Sequence, residues 1–195
     1  MKHYLFKTLA QTRPEFCVLR KFPEGMGVKS WKLGDGVELQ AGEYPQDAKI
    51  FMSDEEPGIE IPDLVPNTVR LLIVSKRLKD GMEEVNRGPV QYLPLSIYNH
   101  KKRLASDDYF IVNPLGTVDV LDTSASEIKY HEGKVVRVIK HVLDAKKIVQ
   151  APDLFRLKEE PDSYVVSERV LDAWRKIAPK PTNITFFVLD VPPAT

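Results

Sequence analysis

Apolar positions along this chain gather in short clusters, and two of those clusters share one layout. "LLIV" at 71–74 and "YVV" at 164–166 are continuous apolar runs of strand length. After each run the apolar residues spread to i, i+4 and i+7: Leu78, Met82 and Val85 in the first case, Val170, Trp174 and Ile177 in the second. A short continuous run fits a buried strand, and the spread stripe fits one side of an amphipathic helix. The letters repeat along with the period. Sliding the chain on itself by 92 positions aligns Ile73–Ile97 with Val165–Leu189 without a gap. Val74, Ser75, Arg77, Asp80 and Pro89 then match Val166, Ser167, Arg169, Asp172 and Pro181.

Local chemistry gives each copy the same sequence of elements. Ser75 and Ser167 stand between the apolar run and the helical stripe, where a serine hydroxyl accepts from the free N–H groups of the first turn, so both are expected N-caps. Arg77 with Asp80, and Arg169 with Asp172, lie one turn apart and are expected to form exposed i, i+3 pairs. Met82 and Trp174 fall on the inward stripe and are expected in the core. Beyond each helix a proline-containing break leads into "VQYLPLSI" or "NITFFVLDV", which read as strands returning to the sheet. The expected unit is strand, short helix, strand, over about 73–97 and again over about 165–189.

Between the copies, residues 107–148 alternate β-branched and aromatic residues with turn formers such as Asn113-Pro114 and Leu115-Gly116, which predicts successive antiparallel strands. Residues 1–52 contain the glycine turns "GMG" and "GDG", with Trp31, Phe22 and Phe51 as expected core anchors. The fold class that follows is α+β: a mixed, mostly antiparallel sheet with short packing helices and the two duplicated units, in one domain over 1–195.

Composition narrows the picture. With 43% hydrophobic residues in 195, the chain can bury a core of its own. Its 28 basic and 28 acidic side chains cancel, so no global field draws it to nucleic acid or to an anionic membrane, and charge recognition must be local. The single cysteine, Cys17, fits a reducing compartment. No continuous apolar stretch of signal-peptide length precedes Arg13-Pro14, and no run approaches membrane-spanning length, so a soluble, cytoplasmic protein is expected. The 15 prolines, spread along the chain, argue against a helical bundle.

Tests for reactive chemistry return little. "GMGVKSW" lacks the glycine spacing of a phosphate-binding loop, and valine separates Gly27 from Lys29. Cys17 with His131 or His141 has no local signature of a thiol nucleophile and base. His3, His100, His131 and His141 have no metal-ligand spacing, so no metal or other cofactor is expected. Asp107, Asp108, Asp119 and Asp122 are the densest carboxylates near a strand region. They could hold a hard cation or form an acid–base pair, but Asp119 and Asp122 also sit where aspartate caps turns. No catalytic residue is named, and binding is favoured over catalysis.

The order of several segments resembles a bacterial polymorphic-toxin immunity family typified by a myxobacterial protein. The segments are "IVSKRLKDGMEEVNRGPVQYLPLSI", "DYFIVNPLGTVDVLD", "VLDAKKI", "LFRLKEEPDSYVVSERVLDAW" and "ITFFVLDV", spanning roughly 70–190. They are apolar and turn-rich, and no catalytic residue carries over from them. The resemblance implies a protein that binds a cognate toxin stoichiometrically and protects the producing cell, with no direct contact to nucleic acid or membrane and with homodimerisation left open.

Within that expectation the acidic segment "SDEEPGIEIPD" at 53–63 reads as an exposed loop, and Asp54, Glu55, Glu56 and Glu60 are the expected toxin-binding residues, facing a basic site of the kind nucleases use. "HKKR" at 100–103 is its basic counterpart, expected at a hairpin tip or surface turn. The rival expectations are an enzyme built on the aspartates at 107–122 and an adaptor module whose two repeats each bind the same partner element.

Overall fold

A computed structural model describes residues 1–193. The elements run β1 (His3–Phe6), α1 (Trp31–Gly34), β2 (Lys49–Phe51), β3 (Leu72–Ser75), α2 (Lys76–Val85), β4 (Val90–Tyr98) and β5 (Leu104–Pro114). There follow β6 (Glu127–His131), β7 (Lys134–Lys140), β8 (Leu154–Arg156), β9 (Tyr164–Ser167), α3 (Glu168–Arg175) and β10 (Phe186–Val188). Two four-stranded sheets have orders β2-β4-β5-β3 and β10-β1-β9-β8, and β6-β7 is a separate hairpin. The pairings between these named strands are antiparallel except β2 with β4. The fold is α+β and dominated by strands. No helix among the described residues is long and apolar enough to cross a membrane.

The two apolar runs are continuous because alternate residues feed different cores. Leu72 and Val74 point to one cluster and Ile73 to another. In β9, Tyr164 and Val166 enter the same central cluster as Leu72, while Val165 turns to a third. The central cluster is sealed by Leu78 and Met82 of α2 with Val170, Leu171 and Trp174 of α3, and the Trp174 indole donates to the Leu78 carbonyl at 2.9 Å. Each strand is buried on both faces, so neither shows the half-polar alternation of a solvated sheet.

Both strand–helix–strand segments admit a third strand at the centre. β3 and β4 each pair antiparallel with β5 between them, and β9 and β10 each pair antiparallel with β1 between them. The outer neighbours correspond too: Leu64 bridges Val74 as Leu154 pairs with Val166. The N-terminal "HYLF" therefore fills in one sheet the place that β5 fills in the other.

The capping serines act differently from the expectation. Ser75 and Ser167 do occupy the N-cap positions with extended backbone, but neither side chain bonds to its helix. The Ser75 hydroxyl donates to Asp63 and the Ser167 hydroxyl to Asp153, both at 2.7 Å, and the two serine N–H groups donate to the carbonyls of those same aspartates at 2.8 Å. The expected i, i+3 pairs are also replaced. Arg77 grips Asp63 through Nε at 2.6 Å and Nη2 at 2.5 Å, and Arg169 lies 3.6 Å from Asp153. Asp80 turns to Lys76, and Asp172 to Arg175. A buried carboxylate offers the arginine a less screened partner than an exposed one a turn away.

Asp63 is the more heavily bonded of the two. Besides Ser75 and Arg77, it accepts from the Thr182 N–H at 2.8 Å and hydroxyl at 2.9 Å, while Arg77 Nη1 also donates to the Pro179 carbonyl at 2.7 Å. One carboxylate thus joins the start of α2 to the loop after α3. Burial disfavours its charge, but the bonds from Arg77, Ser75 and Thr182 outweigh burial and hold its pKa at about 2.

Trp31, expected as a core anchor, is 54% exposed, and Leu33 takes the inward position of the same short helix. The apolar residues of 1–52 in the cluster that holds Ile73 are Cys17, Leu19, Met26, Leu33, Leu39, Ala48, Ile50 and Met52, with Phe22 and Tyr44 packed at its edge, while Tyr4, Leu5 and Phe6 enter the other two clusters.

A depressed carboxylate pKa stabilises the fold above the unfolded value, near 3.9, and the contribution disappears as pH falls toward the folded value. The wild-type melting temperature should therefore drop between about pH 4 and pH 2, with Asp63 supplying roughly 2 kcal/mol of that loss. Asp63→Asn should melt lower at pH 7 and show a shallower acid slope, as read by circular dichroism; an unchanged slope would remove Asp63 from this role.

Candidate functional site

The acidic loop is held at both ends and at its centre. Ser53 N–H donates to the Val18 carbonyl and Glu60 N–H to Glu15, each at 2.9 Å, while Glu60 returns its carbonyl to Cys17 at 2.8 Å. Gly58 lies so close to Phe16 that a Cβ there would stand 2.3 Å from the Phe16 carbonyl oxygen, and the Gly58 carbonyl lies 3.2 Å from His100 Nε2. Only glycine permits that approach. The β4–β5 connection carrying His100 to Arg103 is a tight hairpin tip, closed by Asn99 N–H to the Arg103 carbonyl at 2.9 Å. The acidic loop and the "HKKR" turn, 37 residues apart in sequence from Asp63 to His100, are therefore neighbours.

The four carboxylates are differently placed. Asp54 is 88% exposed at its side chain, with Oδ1 3.5 Å from His100 Nδ1. Glu55 is 71% exposed, 3.2 Å from Arg20 Nη1. Glu56 is largely covered and bound by the same guanidinium, which holds its carboxyl below the usual range. Glu60 meets Arg13 at 3.3 Å. Asp63, the fifth acid of the segment, is buried in the structural bonds already described. The segment is an exposed loop at Asp54 and Glu55 and structural at its far end.

Between this loop and the hairpin tip lies a cavity of about 680 Å³, with Phe22, Phe51 and Met52 at its apolar side and Lys21, His100 and Lys102 on its rim. Arg20, Phe22 and Phe51 come from segments remote in sequence, and no spacing rule identifies them as parts of one site. Surface acids with arginine partners, an apolar hollow and two lysines give this face mixed charge, held by ion pairs of the weak, solvent-screened kind.

The aspartates at 107–122 form no comparable site. Asp119 is neutralised by Lys147 at 2.7 Å and Lys158 at 3.0 Å. Asp122 accepts from the Ser124 and Ala125 N–H groups and the Ser124 hydroxyl, closing a turn. Asp107 and Asp108 lie on the exposed first half of β5. Among the described residues no group of three or more histidine, cysteine, aspartate or glutamate side chains could share a metal ion. Cys17 is fully buried, and burial pushes its thiol up to about 12, while His141 is engaged with Glu160 at 3.2 Å.

With this geometry established, comparison with protein families gives a match to the immunity protein family Imm11 over residues 9–190. The chain belongs to the Imm11 immunity protein family. Comparison with curated proteins finds no match. Imm11 membership carries a toxin-neutralising immunity role and therefore a cognate toxin as partner. The match includes residues 9–52, which lie outside the segments that carried the sequence resemblance, and takes in the acidic loop, the hairpin tip and all three named helices.

Because only a thiolate reacts readily, Cys17 in the native protein should resist a thiol-specific dye at pH 8 over hours and react at once in denaturant. Rapid native labelling would show that its core opens.

Proposed function

We propose that this Imm11 member neutralises its toxin by stoichiometric binding in the cytoplasm of the producing cell, and that the surface formed by Asp54, Glu55, Glu56 and Glu60 beside the 100–103 hairpin tip is where the toxin docks. The family match over 9–190 carries the reading. The exposed acids, backed by an apolar hollow and mounted on a loop fixed by backbone bonds, support the choice of surface. A rigid loop loses little entropy on binding. Solvent-screened ion pairs such as that of Arg20 with Glu55 are weak, so a basic toxin site can take over the carboxylate.

Inhibition follows from occupancy. A toxin whose active site is basic, as a nuclease's must be to hold phosphates, would be covered by these acids, with an apolar side chain seated against Phe22 and Phe51. Lasting protection needs slow dissociation, which an interface of about 1,200–2,000 Å² with a few buried anchors supplies. No catalytic step is required of the chain.

The test uses the toxin encoded beside this chain's gene. Asp54→Lys with Glu55→Lys should slow association at least about tenfold at low salt and abolish protection on co-expression, while the melting temperature stays within a few degrees of wild type. Unchanged association kinetics would remove the loop from the interface; a chain that fails to bind the toxin at all would remove stoichiometric neutralisation.

A further inference from the structure

A second surface lies on the sheet β10-β1-β9-β8, on the face that the β6–β7 hairpin covers only in part. The hairpin packs Val138 against Leu5, Val165 and Phe155 in a common core, and its outgoing end is tied to the end of β10, where Leu143 N–H donates to the Asp190 carbonyl at 2.8 Å. From that tie a groove of about 900 Å³ opens between β7 and the β1–β10 edge.

Three properties of the groove point to one kind of occupant. Its walls expose Leu9, Val136, Ile139, Phe187 and Val188 by 44–66% each, a concentration of apolar side chains that a surface serving only solvent does not need. Its charge is unbalanced. The acids Glu160 and Asp162 are already held by His141 and Arg70, whereas Lys7, Arg137 and Lys140 make no ion pair among the described residues, and Asp190 alone stands against them. Lys7 instead lies over the Phe187 ring, 3.6 Å from its centroid.

The third property is the bare edge. β10 is terminal in its sheet, and β7 is paired only with β6. Exposed edges are ordinarily blunted by short length, charge, proline or a bulge; β10, Phe186-Phe187-Val188, is short but exposed along its whole length, with no charge, proline or bulge within it. Its free backbone groups suit addition of a strand.

We infer that this groove binds an extended acidic segment of a partner protein, added as a strand along β10, whose apolar side chains enter between Val136 and Phe187 while its carboxylates meet Lys7, Arg137 and Lys140. The surface is distinct from the acidic loop and of opposite charge, so the inference stands independently of where the toxin's basic site docks.

A random-peptide display library panned on the full-length chain tests it, with enriched peptides resynthesised and measured by fluorescence anisotropy. The expected peptides alternate apolar and acidic residues, lose at least about tenfold in affinity for Arg137→Glu/Lys140→Glu, and bind Asp54→Lys/Glu55→Lys as they bind wild type. All four positions are exposed, and melting curves verify that the variants fold. Basic peptides, peptides indifferent to the β7 reversals, or no enrichment above background would overturn the inference. So would a concentration-dependent dimer dissolved by Val188→Asp, which would assign the edge to a second copy of the chain.

Discussion

One guanidinium ties the parts of this protein together. Arg156 is fully buried, and each of its five N–H groups has an acceptor: Nε to the Pro114 carbonyl, Nη1 to Gly34 and Pro161, Nη2 to Leu33 and the Asn113 side chain, at 2.6–3.1 Å. Its planar face lies 4.5 Å from the Tyr164 ring. Burying an ion costs several kcal/mol, and bonds from a charged donor return about 1.5–3 kcal/mol each. The arrangement is favourable only with every acceptor in place. Those acceptors come from the end of α1, the end of β5 and the turn before β9, so the N-terminal segment and both sheets must be assembled together. Gly36 shows how tight the fit is: with φ +67°, a Cβ there would lie 2.8 Å from Arg156 Cδ and from the Pro114 oxygen.

The buried aspartates extend the same logic outward. Asp63 and Asp153 each anchor the serine and arginine that open a helix, and Asp63 also reaches Thr182 in the other half. The two "PDL" tripeptides at 62–64 and 152–154 mark these positions. They are 90 residues apart while the serines are 92 apart, and an ungapped comparison at 92 passes over them. The helical stripes and apolar strand ends were legible because burial imposes their period. The serine and arginine partners were not, because a carboxylate 12–16 residues upstream leaves no mark in helical spacing. Nor could "HYLF" be recognised as a central strand, since its neighbours lie more than 150 residues away.

The candidate surface was legible in a similar, partial way. Five acids with two prolines and a glycine announce a loop, and four basic or near-basic residues in a row announce a turn. That Gly58 and His100 bring the two together, and that Phe22 and Phe51 leave a hollow between them, depends on the packing of β2 beside β4. Exposed acids at 54 and 55, a largely covered acid at 56, a buried structural acid at 63 and a rim of lysines give a surface whose fixed and exposed parts are separate. Such a division suits the proposed docking: the framework is held by buried bonds, and the exposed side chains can be replaced at little cost to the fold.

Hydrogen–deuterium exchange on the purified complex with the cognate toxin tests the central claim most directly. The account predicts a 1:1 complex with slowed exchange at residues 53–60 and 99–103 and little change in the already protected strands around Arg156. Slowed exchange confined to the rest of the surface, with 53–60 and 99–103 exchanging as in the free chain, would contradict it.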